Sequence, residues 1–182
     1  MIGKKAEEVL NRAVRFAFDR QHEYFTLEHV LLSLLEEAEI LEIIQACGAS
    51  FIQIKKELED YLDRDVPKSV QKSTDSDEEE EGGLMQHPVA TLGVQRMIQR
   101  ALFQVQSAGK DEIHPEDLFT ALFQSKDSFA THLLVKHGVE RVDVLNFISH
   151  GVRKDGQSGE KSLQSTEAPD ESQKGSDRAP IR

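Results

Sequence analysis

A segment of this chain recurs 88 residues further on, and that recurrence limits the possible fold more than any other feature. Thr26-Leu27-Glu28-His29-Val30-Leu31 lies over His114-Pro115-Glu116-Asp117-Leu118-Phe119. In the first copy, Thr26 stands just before an apolar series, where an N-cap oxygen accepts a free helix-start amide. Glu28 falls in the first turn, where the positive end of the helix dipole favours a carboxylate. Leu27, Val30, Leu31, Leu34 and Leu35 then recur at the spacing of one helix face, which predicts a helix over about 27–37. In the second copy, Pro115 takes a first helical position that tolerates a missing N–H, and Leu118, Phe119, Leu122 and Phe123 rebuild the stripe.

The repetition extends well beyond these helices. Residues 4–20 place Ala6, Val9, Leu10, Ala13, Val14 and Ala17 on one face, and 92–107 answer with Met97, Ile98, Ala101, Leu102 and Val105. A third helix over 39–47 shows Ile40, Ile43 and Ile44 and stops at Gly48. A fourth starts near Ser50, with Phe51, Ile54, Leu58, Tyr61 and Leu62 inward. From the third helix on the offset is 90: Ile43-Ile44 lies over Leu133-Leu134, Gly48 over Gly138, Ile52 over Val142, Ile54 over Val144, and Leu58 over Ile148. The sequence therefore predicts an all-α domain of about eight helices, a pseudo-symmetric duplication of a four-helix repeat. Repeat one spans 1–63, a mobile acidic linker 64–90 and repeat two 91–153, with 154–182 a flexible linker.

Charge sharpens the division. The formal net charge is −11, of which the run DSDEEEE at 75–81 supplies six. Setting that run and the net −1 of 154–182 aside leaves −4 for the remainder. Such a body offers no basic face, so the phosphate-backbone term of nucleic-acid binding is missing. Low hydrophobicity and like charges between the repeats favour mobility there. The single Cys47 excludes an internal disulfide and suits a reducing compartment; before Gly48 it reads as a small apolar residue at a helix end. With neither a leader pattern nor an apolar run near ~20 residues, a soluble, cytoplasmic protein is expected.

Catalytic patterns are scarce. Residues 151–158, GVRKDGQS, match a phosphate-binding loop except that Gln157 replaces the lysine that reaches the terminal phosphates. A helix precedes the segment where a buried strand belongs, so nucleotide binding there is not expected. No nucleophile, base and orienter can be assembled, and no enzyme activity is expected of this segment. Seven histidines are scattered along the chain; His22-Glu23 with Glu28 or His29 offers imidazole and carboxylate that suit zinc, without a specific ligand spacing.

Glu23, Thr26 and Glu28 carry two readings. One is helix-start chemistry and a solvated loop. The other adds a partner surface where loop 21–28 meets the start of the second unit near Thr91, with carboxylates for a basic partner and Arg96 for an acidic one.

The duplicated four-helix unit, the T-x-E-H-V-L-L-x-L-L segment at 26–35 and LLVKHGV at 133–139 resemble the Clp N-terminal repeat domain. Within that family, HEYFTLEH (22–29), QRMIQRALFQVQSAGKDEI (95–113) and RVDVLNFISHGVRKD (141–155) are similar to the ClpA-type unfoldases of the ATP-dependent Clp protease. The resemblance covers about residues 4–155 and includes loops as well as apolar spacing. It implies a parent chain continuing into two AAA+ modules, which would hold the ATP and magnesium, and coupling to a ClpP-type protease. It implies a non-catalytic docking domain for a ClpS-type adaptor and for unfolded or degron-bearing substrates. Carried over by matching positions, the adaptor surface would involve Glu23, Glu28, Thr91 and Arg96, and His22 matches a place where family domains can hold zinc, although a required metal does not follow. The acidic run at 75–81 departs from the family pattern in length and charge. Two other readings stand beside this one: an accessory protein with a Clp-like domain that modulates a protease complex without any ATPase, and a helical nucleic-acid binder, against which the acidic balance argues.

Overall fold

Two short helices, α2 (Leu27–Leu34) and α6 (Pro115–Leu122), are buried nearly all round and lie at the centre of the molecule. The computed structural model describes residues 1–68, 87–151 and 153. Among these, α1 (Lys4–Asp19), α2, α3 (Ala38–Ala46) and α4 (Phe51–Asp65) form repeat one. Repeat two comprises α5 (Leu92–Ser107), α6, α7 (Phe129–Lys136) and α8 (Arg141–His150). The expected eight-helix, all-α architecture is present. Within each repeat the long first helix lies along the short second one, α1 on α2 and α5 on α6. Between repeats the packing is reciprocal: α2 meets α7 and α6 meets α3, while α4 meets α7 and α8 meets α3.

Every residue of α2 is buried, so its three polar side chains must find partners inside the protein. Ser33 Oγ donates to the Val9 carbonyl at 2.7 Å and accepts from Arg12 Nε at 3.0 Å. Arg12 also reaches Glu37 at 2.5 Å, and Arg100, its counterpart 88 residues on, reaches Ser125 at 3.2 Å. His29 and Glu28 are satisfied at the junction of the repeats, described below.

The helix ends repeat as well. Gly48 (φ 77°) and Gly138 (φ 82°), at the offset of 90, both take the left-handed conformation that ends α3 and α7. The next amide turns back in each case, Ala49 to the Ile44 carbonyl at 3.1 Å and Val139 to the Leu134 carbonyl at 2.8 Å. Gly151 (φ 65°) likewise closes α8, which gives the first glycine of the GVRKDGQS segment a helix-stopping role. The remainder of that segment, apart from Arg153, lies outside the described residues, as do the acidic run 75–81 and residues 154–182.

Three details depart from the sequence reading. The helix expected over 27–37 stops at Leu34, because residues 35–37 turn and Glu37 becomes the N-cap of α3. Apolar spacing runs into this bend because Leu35, the first residue of the turn, is buried like the helix before it. Second, α4 continues to Asp65, and Val66 beyond it is buried, so the linker proper begins later than residue 64. Third, Ile148 is exposed although Leu58, which it echoes, is buried. Ile148 borders an open groove between α3, α6 and α8. At the equivalent place in repeat one, Tyr61 stacks on Phe129 with ring centroids 4.0 Å apart. The positions matching these two at the offset of 90 are Gly151 and Glu39, which leaves that groove unfilled.

Candidate partner-docking interface

The two repeats are joined by backbone pairing that periodicity could not reveal. Strand β1 (Tyr24–Phe25) runs parallel to β2 (Val89–Ala90), with Tyr24 opposite Val89 and Phe25 opposite Ala90. The Val89 amide donates to the Glu23 carbonyl and the Thr91 amide to the Phe25 carbonyl, each at 3.0 Å. On the other side of the loop, the Glu23 amide donates to the Pro67 carbonyl at 3.0 Å and His22 pairs with Lys68. Loop 21–26 is thereby fixed to both flanks of the inter-repeat segment. A two-residue ladder has no alternation long enough to read from sequence.

The same pairing recurs across the pseudo-twofold. Ile2 bridges Ile113 in parallel, the Gly3 amide donates to the Ile113 carbonyl at 3.0 Å, and Ile113 returns its amide to the Met1 carbonyl at 2.9 Å. Shifted by 88 residues, Ile2 and Gly3 are Ala90 and Thr91, while Ile113 is Phe25. Each repeat thus clips the loop before its short helix onto the start of the other repeat's long helix.

Beneath the first clip lies a buried histidine pair. Thr26 is the N-cap of α2, and its own amide donates to His29 Nδ1 at 3.0 Å. In repeat two the His114 amide donates in the same way to Asp117 at 2.9 Å. His29 therefore fills a place that its counterpart fills with a carboxylate, and its Nδ1 must carry a lone pair. The proton of the neutral ring is then on Nε2, which donates to His22 Nδ1 at 2.8 Å. Burial, then the positive charges available to His22 and Arg20, holds His29 down to about 3. His22 is also lowered, by burial first and then by Arg20 and Lys68, partly offset by Asp63 and the Leu62 backbone. Its Nε2 is buried without a hydrogen bond of good geometry, although the Leu62 main chain is close enough to favour the charged ring.

This arrangement bears directly on the zinc that the resemblance implied at His22. His22 Nδ1 and both nitrogens of His29 are engaged in hydrogen bonds. Glu23 is exposed and the Glu28 carboxylate is used elsewhere. Among the described residues no group of three or more His, Cys, Asp or Glu side chains gathers to hold a metal ion. The donor set does not fit zinc.

The candidate partner residues separate into three kinds. Glu23 and Arg96 are exposed, and neither side chain makes a hydrogen bond or ion pair with any described residue. Thr91 is half-buried and caps α5, accepting the Val94 amide at 3.4 Å. Glu28 is not on the rim at all: its Oε1 accepts the Ala130 amide at 3.2 Å in a buried contact. Ala130 belongs to the first turn of α7, where Ser128 takes the Thr131 amide at 3.2 Å. A carboxylate at the positive end of that helix is a stable way to bury a charge. Sequence reasoning also overlooked Tyr24 and Val89, neighbours in the ladder whose apolar side chains are exposed.

Comparison with known proteins now bears on this geometry. The model of the Clp repeat (R) N-terminal domain matches residues 1–137. The chain belongs to that family. A ClpA homolog protein of Fuscovulum blasticum is 34% identical over 169 residues, covering 92% of this chain and 20% of that protein, so the chain spans about a fifth of that relative's length. Among solved structures, the Hsp104 N-terminal domain of Candida albicans superposes with a TM-score of 0.65 at 10% identity, over 84% of this chain and 93% of that one. The N-terminal domain of the ClpV1 ATPase from E. coli gives 0.63 at 19% identity, over 80% and 82%. A ClpV N-domain solved with a VipB peptide gives 0.59 at 18%, over 82% and 85%. At these identities the structures establish the fold alone. As a Clp repeat domain the chain has its clips and its central helices in duplicate, and no helix among the described residues is long and apolar enough to cross a membrane.

Proposed function

We propose that this Clp repeat domain is the adaptor- and substrate-docking N-terminal domain of a ClpA-type AAA+ unfoldase, and that the first clip is where a ClpS-type adaptor seats. The observation that carries this reading is the parallel pairing of 24–25 with 89–90. It fixes the backbone beside the exposed Glu23 to the segment that leads into α5, whose second turn carries the exposed Arg96. Opposite charges on fixed backbone orient a partner carrying the converse pair and speed its encounter. Thr91 contributes by setting the start of α5, and Glu28 by holding α7 rather than by touching the adaptor. The likeness to a ClpV N-domain solved with a VipB peptide supports docking as the work of this fold. In this reading degron-bearing or unfolded proteins are the cargo. The parent chain supplies ATP-driven unfolding and feeds a separate ClpP-type protease, and the setting is the cytoplasm, in keeping with a single, buried cysteine.

Calorimetric titration of the 182-residue chain with a purified ClpS-type adaptor tests the proposal. Glu23→Lys and Arg96→Glu should each weaken binding about tenfold or more while the thermal melt stays at the wild-type position. Unchanged affinity in both variants puts the adaptor on another surface.

A further inference from the structure

The duplication supplies an internal control for the exposed face of α5. Leu92, Arg96, Gln99 and Phe103 are spaced by four, three and four residues, so they form one outward stripe. Leu92 is 58% exposed and Phe103 71%. The equivalent stripe on α1, 88 residues earlier, is Lys4, Glu8, Asn11 and Arg15, all exposed. The same contrast holds in the clip at Tyr24 (39% exposed), which matches Glu112, whereas Val89 (60%) matches Met1, which is apolar and exposed as well. Because α1 fills the same structural place with charged side chains, packing of the fold does not call for Leu92 or Phe103 to be apolar. Leu92 and Phe103 on one stripe, with Tyr24 and Val89 exposed in the clip that precedes it, group apolar side chains that helix packing does not require, and such a grouping marks an interaction site.

We infer that the adaptor's footprint does not stop at Glu23 and Arg96 but runs along α5 to Phe103, with Tyr24, Val89, Leu92 and Phe103 as its apolar anchors. This inference rests on the proposed function above. Leu92 to Phe103 spans about 16 Å at 1.5 Å rise per residue. Interspersed with the anchors are Glu23, Gln95, Arg96 and Gln99, all exposed. Few apolar anchors among charged and amide side chains match a dissociable complex, which buries about 800 Å² on each partner. A permanent dimer of this chain would need a larger and more apolar face, on the order of 2,000 Å² or more in total. The partner that fits is a folded protein bearing an apolar patch, with an acidic group placed for Arg96 and a basic group for Glu23.

The test substitutes what α1 carries at the same places: Leu92→Lys, Phe103→Arg, and Arg15→Ala as a control on the other face. Each is titrated with the purified ClpS-type adaptor beside Glu23→Lys, with a thermal melt and sedimentation of every protein. Phe103→Arg should weaken binding at least tenfold, the effect of losing an aromatic anchor, with an unshifted melt and with Arg15→Ala at wild-type affinity. If Glu23→Lys weakens binding and Phe103→Arg does not, the extended footprint is wrong while the docking function survives. No binding by the wild-type chain overturns both. Concentration-dependent self-association that Phe103→Arg abolishes would make a second copy of this chain the occupant, and the adaptor inference fails.

Discussion

Glu28 and Ala130, 102 residues apart, are joined by a buried hydrogen bond in which the Ala130 amide donates to the Glu28 carboxylate at 3.2 Å. Through it the first turn of α2 in one repeat closes the first turn of α7 in the other, beside the stacked rings of Tyr61 and Phe129. Glu28→Gln keeps an acceptor and should cost no more than about 1 kcal/mol. Glu28→Lys buries an unpaired cation against the positive end of α7 and should cost at least about 3 kcal/mol. Urea denaturation of the two variants checks this, and equal midpoints would show that the carboxylate does not hold the repeats together. Any loss of adaptor binding in Glu28→Lys must be read beside that loss of stability.

The histidine pair predicts acid sensitivity. Both rings titrate below the ordinary value near 6.5 in the folded protein, His29 at about 3. The unfolded chain therefore binds more protons in this range, so the stabilisation is complete above about pH 6.5 and declines as pH falls towards 3. Protonating His29 removes the lone pair that holds the Thr26 amide, and protonating His22 removes the one that holds His29. Melting temperatures measured from pH 7.5 to 4.5 should drop, and a His22→Gln/His29→Gln variant should drop less steeply over that range. Parallel profiles would show that other groups set the acid limb.

The central helices should carry comparable weight in both repeats. Leu31 and Leu122 are each fully buried. Leu31→Ala and Leu122→Ala should each cost roughly 2–5 kcal/mol, the range for truncating a buried leucine. A denaturation midpoint that either change leaves untouched would remove that residue from the load shared by the core.

The fold was legible from this sequence because both repeats write it in helix-period apolar residues and in the same stops. Ala6, Val9, Ala13 and Ala17 are buried as their spacing predicts, and so are Met97, Ala101 and Val105. Gly48 and Gly138 end their helices because the left-handed conformation found there suits a residue without a Cβ. These are local properties, fixed by the order of neighbours along the chain. The sequence also placed loop 21–28 beside Thr91, and the Thr91 amide bonds the Phe25 carbonyl. Only the tertiary structure decided which way each polar side chain turns once it arrives. Glu23 and Glu28 read alike, as carboxylates flanking a helix start, yet one is exposed and the other is buried against α7. His29 read as one histidine among seven, and becomes an acceptor only because Thr26 presents an amide and His22 presents a lone pair. Burial of apolar side chains is additive and non-directional, so a one-dimensional pattern records it. A hydrogen bond requires a distance and an angle between groups, here 102 residues apart, and those exist only after the repeats have closed on each other.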